Sequence, residues 1–309
     1  MSKHQFCRDL CLERDEPLQG TGDTPERVLL LAWPRGKWRT PRWESADMSE
    51  ALAASIHSAA QSGLHVALVD RVGDSEALPR LMAQPEGVCA DFNSEEALIA
   101  AIDGYAGGTV FAGEIDPRIT VLVCTDSRRD ACCARYGFST YKALVAIADR
   151  DEFNIVQATH LGGCRFAASL VVMPDRQRYG RMTAGQAPAF LEALSRGEIF
   201  LPAYKGRTDV PEAVQVAELA ALEWAAAHNR SGGHVRVLPF DLPSEPADGH
   251  ELAIRAEVHD TELDIRLKAQ TYLVQGNCGV VAEGGSKDTL RWRLDHLTTT
   301  EPEPLESLL

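Results

Sequence analysis

The sequence predicts an α/β protein that ends in a β-rich extension. Through about the first two thirds of the chain, short apolar runs alternate with segments of helical periodicity, which is typical of a sheet layered with helices. After residue 230, polar and apolar residues alternate one by one, which predicts antiparallel strands with one solvated face. A chain of 309 residues is long enough for two domains of ordinary size with hydrophobic cores.

The first third alternates strand and helix. Strands are predicted at residues 27–33 and 65–70, and helices at 47–63 and 93–108. Ser49 and Asn93 are the predicted N-caps of these helices, because their side chains accept hydrogen bonds from free backbone N–H groups. This order predicts one α/β layer.

The second third repeats the pattern. Strands are predicted at 118–124, 154–159, 165–175 and 177–182, and helices at 139–151, 184–197 and 210–229, with Ser139 capping the first of them. An order of β-α-β-β-β-α with a cysteine loop after the first strand is compatible with a thioredoxin-like layer. We therefore expect two such layers, at 1–112 and 113–229. A β-rich extension at 230–309, with an acidic tail from residue 298, completes the predicted organisation.

Composition narrows the possible functions. Hydrophobic residues make up 45% of the chain and charged residues 25%, as in ordinary soluble proteins. No apolar run is long enough to span a membrane and the N-terminus is polar, so we expect no signal peptide, no membrane span and a cytoplasmic location. A net charge of −14 argues against a nucleic-acid partner.

Soft metal ligands cluster after two strands of the second third. Cys124, Cys132 and Cys133 follow the first strand, and His160 and Cys164 follow the second. Loops at the same end of parallel strands converge, so both groups are expected to meet in space. In a chain whose thiols stay reduced, such a cluster favours a metal site or thiol chemistry over a disulfide framework.

The surroundings of these residues are consistent with a metal site. Gly162 and Gly163 permit positive φ and close approach of the backbone to a cluster. Arg129 and Arg165 are candidates to balance thiolate charge. The remaining cysteines and the other eight histidines are interpreted as ordinary core or surface residues; those cysteines are Cys7, Cys11, Cys89 and Cys278.

Spacing alone leaves three functions open. Three thiolates and one imidazole suit either a structural zinc ion or a [2Fe-2S] cluster. A thiol-dependent oxidoreductase using Cys132 and Cys133 is the third possibility, although a C-x-x-C motif is absent. The sequence also lacks G-x-S-x-G, P-loop and H-E-x-x-H motifs.

Several separate blocks resemble the sucrase/ferredoxin-like family. They include "CTDSRRDACCARYG", "HLGGCRFAASLVVMPD" and "KGRTDVPEAVQVAELAALEW", and the similarity runs over about residues 5 to 225. The resemblance implies a core like a thioredoxin-like [2Fe-2S] ferredoxin, and thus an electron-transfer or redox protein with an unknown reductase or electron acceptor as partner. It implies an electron carrier more than a substrate-converting enzyme, and we find no residues that support sugar hydrolysis.

The resemblance also implies a ligand set. The implied cluster ligands are Cys124, Cys133, His160 and Cys164. Cys133 is preferred to Cys132 because in fungal members the equivalent cysteine precedes a small residue, as Cys133 does here. Many relatives carry "HLGGH" where this chain has Cys164, and "CTH" where it has Asp126. The implied cofactor is therefore a [2Fe-2S] cluster with mixed cysteine and histidine ligation.

Overall fold

A ten-stranded mixed sheet forms the centre of the protein, and a four-stranded antiparallel sheet forms its C-terminal part. The structure is a computed structural model that describes residues 5–23, 25–71, 78–230 and 234–300. The strands of the large sheet are β1 (Val28–Ala32), β2 (His65–Asp70), β3 (Leu81–Gln84), β4 (Val88–Ala90), β5 (Glu114–Ile115), β6 (Ile119–Cys124), β7 (Phe153–Ala158), β8 (Leu170–Met173), β9 (Gln177–Tyr179) and β10 (Tyr204–Gly206). The predicted α/β class is confirmed.

Seven α-helices lie in the described residues. They are α1 (Cys7–Glu13), α2 (Glu50–Gln61), α3 (Glu95–Ala106), α4 (Phe138–Ile147), α5 (Ala187–Ser195), α6 (Glu212–Ala227) and α7 (Cys278–Ala282). Within the described ranges, no helix is both long and apolar enough to cross a membrane.

One predicted cap is confirmed and two are wrong. The Ser49 hydroxyl accepts a hydrogen bond from the Leu52 N–H at 3.1 Å, as predicted. Helix α3 is capped by Ser94 and not by Asn93. Ser139 lies inside α4, because a π-helical turn at Cys133–Gly137 already leads the chain into that helix.

The two halves of the large sheet repeat one connection. The first half runs β1-α2-β2-β3-β4-α3-β5, and the second runs β6-α4-β7-β8-β9-α5-β10. In each half the first two strands are parallel, and the third pairs antiparallel with the first. The ends of β2 and β7 join the halves in antiparallel fashion, giving the order β10-β9-β8-β6-β7-β2-β1-β3-β4-β5. The predicted boundary at residues 112–113 thus lies within one continuous sheet, and the domain division stays a prediction.

The C-terminal extension contains the predicted antiparallel strands. They are β11 (Val235–Val237), β12 (Glu251–Val258), β13 (Thr261–Val274) and β14 (Lys287–Thr299), paired in that order. Alternate residues of β13, such as Leu263, Ile265 and Leu267, are buried in a core shared with α6. Each such side chain contributes about 1.5–3 kcal/mol by leaving water. Residues 301–309 of the predicted acidic tail lie outside the described residues.

The pairing of β6 and β7 positions the candidate site. The two strands are parallel, and Cys124 at the end of β6 is in register with Ala158 at the end of β7. The loops that follow both strands therefore emerge at the same edge of the sheet, as the sequence predicts. Leu122 and Cys124 lie in one apolar core, whereas Val121 and Val123 belong to the core on the other face.

Candidate metal centre

The structure brings the four predicted ligands together. Cys124 is the last residue of β6, Cys133 begins the π-helical turn, and His160 and Cys164 follow β7. The Cys164 Sγ lies 3.5 Å from the His160 Nδ1. Interaction with the Cys124 and Cys164 sulfurs raises the pKa of the Cys133 thiol well above its usual range. The three cysteines are at most 2% exposed, and only His160 is partly accessible.

Hydrogen bonds shift the acidities within this group. The bond from Cys133 holds the pKa of Cys124 well below its usual range, helped by His160. The same donor lowers the pKa of Cys164 to about 7. Burial opposes charge on His160, but its bonds to the Cys124 and Cys164 sulfurs raise its pKa to about 9. The site therefore favours thiolate sulfur, which is the form that binds metals.

A glycine loop carries the second pair of predicted ligands, His160 and Cys164. Gly162 and Gly163 have φ values of 88° and 68°, which agrees with the predicted need for glycine. Arg178 on β9 donates hydrogen bonds to the carbonyl oxygens of Leu161 and Gly162, the latter at 2.8 Å. This guanidinium thus holds the loop that presents His160 beside the cysteines.

Asp126 links the two ligand loops. Its Oδ1 accepts hydrogen bonds from the Arg128 and Arg129 N–H groups at 3.0 and 3.1 Å. Its Oδ2 accepts one from the His160 N–H at 3.2 Å. Sequence reasoning treated Asp126 only as a missing histidine. The signal it overlooked is the tendency of Asp to bond backbone N–H groups two or three residues ahead.

The buried cation beside the thiols differs from the two suggested by the sequence. Arg165 forms an ion pair with the Glu16 Oε1 at 2.8 Å, and Arg129 is exposed. Arg178 is only 2% exposed. Burial lowers the pKa of Arg178, while the negative sulfurs of Cys124, Cys164 and Cys133 act in the opposite direction. Arg178 is therefore the cation best placed to balance charge at the site.

The neighbours Cys132 and Cys133 face different partners. Cys133 joins the predicted ligands, whereas the Cys132 Sγ lies 3.5 Å from that of Cys7 and 3.4 Å from that of Cys278. Cys7 and Cys278 are buried, as expected, but they are not isolated apolar residues. Sequence reasoning missed their meeting because helix α1 and helix α7 are far apart along the chain. Cys89 is buried within an apolar core.

One protein-family model matches a large part of the chain. The family model described as sucrase/ferredoxin-like matches residues 18–206, which is more than half of the chain and includes all four predicted ligands. The chain belongs to the sucrase/ferredoxin-like family. No curated protein shows significant similarity to it.

Part of this sucrase/ferredoxin-like protein is similar to solved structures of the thioredoxin-like [2Fe-2S] ferredoxin from Aquifex aeolicus. One structure is 20% identical, covers 30% of this chain and 96% of that chain, and gives a TM-score of 0.28. The wild-type structure at 1.5 Å is also 20% identical, covers 28% of this chain and 95% of that chain, and gives a TM-score of 0.26. The structure of a cysteine-to-serine variant is 21% identical, covers 28% of this chain and 96% of that chain, and gives a TM-score of 0.26.

The donor set of this sucrase/ferredoxin-like protein suits a thiophilic metal. Three sulfurs and one imidazole nitrogen converge in a buried patch, and they already exchange hydrogen bonds that a metal would replace. The group of Asp130, Cys133 and Cys164, whose donor atoms lie within 4.8 Å of one another, does not extend to Cys124 or His160. The predicted ligands are therefore more spread out than four ligands around a single ion.

The glycine loop also borders a cavity. This cavity has a volume of about 400 Å³, and its lining includes Gly162, Gly163, Arg178 and Lys205. Burial, together with the nearby charges of Arg178 and Arg165, lowers the pKa of Lys205. Two buried basic side chains, Arg178 and Lys205, therefore line the cavity next to the loop that carries His160 and Cys164.

Proposed function

We propose that Cys124, Cys133, His160 and Cys164 hold a [2Fe-2S] cluster and that this protein carries single electrons between redox partners. The observation that supports this most directly is the convergence of three cysteines and one histidine in a buried patch at the ends of β6 and β7. A bound [2Fe-2S] cluster supplies one-electron chemistry. Membership of the sucrase/ferredoxin-like family is consistent with this assignment.

The spread of the ligands favours a two-iron cluster over one zinc ion. A tetrahedral zinc ion with Zn–S bonds of about 2.3 Å requires its sulfur ligands to lie roughly 3.8 Å apart. Within the described residues, the group of possible ligands within 4.8 Å that contains Cys133 and Cys164 is completed by Asp130 and not by Cys124 or His160. A cluster with two metal ions accommodates this wider arrangement.

The chain's own residues would control access to the cofactor. The buried cysteines keep water from the sulfur ligands, and Arg178 provides positive charge next to them. His160 is the ligand with partial exposure. We therefore expect the redox partner to dock against the edge formed by His160 and the glycine loop.

The burial of Cys132 and Cys133 disfavours a thiol-dependent oxidoreductase. Their side chains are 0% and 1% exposed, so a bulky disulfide substrate has no direct path to either sulfur. The two sulfurs also contact different groups of residues. This proposal therefore treats the protein as a carrier and assigns it no substrate-converting activity.

Visible absorption combined with iron and zinc analysis of the anaerobically purified protein tests the proposal. We expect a coloured protein with two iron atoms per chain, as a [2Fe-2S] cluster requires, that bleaches on reduction with dithionite. The variants Cys124→Ser, Cys133→Ser, His160→Ala and Cys164→Ser should each lower the iron content. Cys89→Ser is the matched control, because this buried cysteine lies among apolar neighbours.

Three results would contradict the proposal. A colourless parent protein with zinc bound by Cys124 and Cys133 would indicate a structural metal instead. A colourless protein with no metal and thiol-dependent turnover would indicate an oxidoreductase. Cys132→Ser should retain iron, and loss of iron in this variant but not in Cys133→Ser would show that the ligand assignment is wrong.

A further inference from the structure

A second group of metal ligands lies beside the first. The Sγ of Cys7 is 3.5 Å from that of Cys132 and 3.7 Å from that of Cys278, and Cys132 and Cys278 are 3.4 Å apart. An Asp130 carboxylate oxygen lies within 4.8 Å of all three sulfurs. We call the three cysteines the thiol triad, and Asp130 is the carboxylate next to them. All four are at most 5% exposed.

These distances match the requirements of one tetrahedral ion. Zinc bound to thiolates at about 2.3 Å separates their sulfurs by roughly 3.8 Å, close to the 3.4–3.7 Å observed here. Zinc binds both cysteine sulfur and carboxylate oxygen, so three cysteines and one carboxylate would fill the four positions of a tetrahedral site. The triad is more compact than the site formed by Cys124, Cys133, His160 and Cys164.

Two backbone N–H groups hold the Asp130 carboxylate in place. Its Oδ1 accepts a hydrogen bond from the Cys132 N–H at 2.8 Å, and its Oδ2 accepts one from the Cys278 N–H at 2.7 Å. The Cys7 Sγ lies 3.9 Å from the Asp130 Oδ2. The carboxylate is therefore placed as an oxygen ligand beside the three sulfurs, and zinc accepts carboxylate oxygen as well as thiolate sulfur.

We propose that Cys7, Cys132, Cys278 and Asp130 bind a structural zinc ion separate from the iron–sulfur site. The backbone N–H groups of Cys132 and Cys278 hold the Asp130 carboxylate beside the three sulfurs. Such bonds orient a carboxylate ligand. Soft thiolate ligands in a closed tetrahedral site select zinc over magnesium or calcium.

The zinc would join three distant segments of the chain. Cys7 lies in α1, Cys278 begins α7, and Cys132 precedes the Cys133 that we assign to the cluster. Because Cys132 and Cys133 face opposite groups, fixing the first would also fix the backbone that presents the second. The ion would act as a structural clamp on the cluster loop without exchanging electrons.

Metal analysis of the 309-residue protein purified anaerobically tests this second site. We expect one zinc per chain in addition to iron. Cys7→Ser and Cys278→Ser should each reduce zinc by at least tenfold while keeping the dithionite-sensitive absorption. Cys89→Ser should keep both metals. Expression of the parent protein in medium supplemented with cobalt should give the intense visible absorption bands of a tetrahedral cobalt–thiolate site. This measurement needs no variant.

The outcomes separate this proposal from the first one. A parent protein without zinc and without those cobalt bands, or one whose intact mass shows a disulfide among the triad, would overturn the zinc site. Zinc retained in full by both variants would also overturn it. If the parent binds two zinc ions and no iron, the electron-carrier proposal fails, but loss of one zinc in Cys278→Ser would still support this site.

Discussion

At the scale of single residues, Cys164 sets the charge of the proposed cluster. Replacing one thiolate ligand by a neutral imidazole makes the cluster less negative and electron addition easier. Cys164→His should therefore raise the reduction potential, on the order of 100 mV given the range between all-cysteine and bis-histidine centres. A potentiometric titration followed by visible absorption measures the change, with Cys89→Ser as control. An unchanged potential in a fully loaded Cys164→His protein would show that Cys164 is not a ligand.

Arg178 acts on the same site through its charge. It is buried and holds the glycine loop by bonds to Leu161 and Gly162. Arg178→Met should lower the reduction potential, because a nearby positive charge favours the reduced state. An interaction of about 1 kcal/mol corresponds to roughly 40 mV for one electron. Arg178→Lys retains the charge and should stay closer to the parent, so an equal shift in both variants would contradict an electrostatic role.

The four ligand residues could be proposed from sequence because they follow strands whose ends meet. Arg178 and Asp126 could not be assigned in the same way. Arg178 is on β9 and reaches the loop across the sheet, and such a contact leaves no mark in local spacing. The partners of Cys132 were missed for the same reason, since Cys7 and Cys278 lie in short helices at opposite ends of the chain.

At the scale of secondary-structure elements, the π-helical turn packs directly on the end of β6. A Cβ on Gly137 would lie 1.9 Å from the carbonyl oxygen of Cys124, which no side chain tolerates. Gly137→Ala should therefore lower the free energy of unfolding by about 1–3 kcal/mol and reduce iron content, because the turn and the ligand strand must separate. Urea unfolding followed by circular dichroism measures the stability.

Gly185→Ala is the control for that experiment. A Cβ at Gly185 meets no atom within 4 Å, so this variant should unfold within about 0.5 kcal/mol of the parent. Equal stability of the two variants would mean that the turn and β6 are not packed as described.

Long elements were predictable and short ones were not. Strand β2 and helix α2 lie within the predicted ranges because apolar periodicity, the Ser49 cap and Gly63 mark them clearly. Strands β3 and β4 have four and three residues, too few to show a period, and sequence reasoning missed them. The π-helical turn has no sequence signature of its own, which explains the wrong cap at Ser139.

At the scale of the whole molecule, Glu16 connects three parts of the chain. Its fully buried carboxylate pairs with Arg14 at 2.6 Å and Arg165 at 2.8 Å, and the Arg291 Nε of β14 lies 3.8 Å away. Glu16→Gln should lower the free energy of unfolding by about 3–5 kcal/mol, because it leaves buried cations without their partner. Glu192→Gln, which alters an exposed ion pair with Arg196, should change it by less than about 1 kcal/mol.

The Glu16 network also predicts a pH dependence. Burial alone would raise the pKa of Glu16, but Arg165 and Arg14 hold it below its usual value of 4.5. A group whose pKa is lower in the folded state stabilises the fold above its unfolded pKa and loses that effect as the pH falls through the folded value. The stability advantage of the parent over Glu16→Gln should therefore be full at neutral pH and shrink below about pH 4.5. Urea unfolding of both proteins between neutral pH and pH values below 4.5 measures this difference in free energy of unfolding. A difference that grows as the pH falls would contradict the prediction.

The contact between Cys7 and Cys278 spans 271 positions. During synthesis, the first of these residues leaves the ribosome long before the last one exists. The second sheet half can pair its strands earlier, since β6 to β10 lie close together along the chain. The thiol triad, however, cannot close until Cys278 has also emerged. The loop that carries Cys133 therefore reaches its final surroundings only after Cys278 has been synthesised, so we expect metal to enter the triad after the strands of the second half have paired.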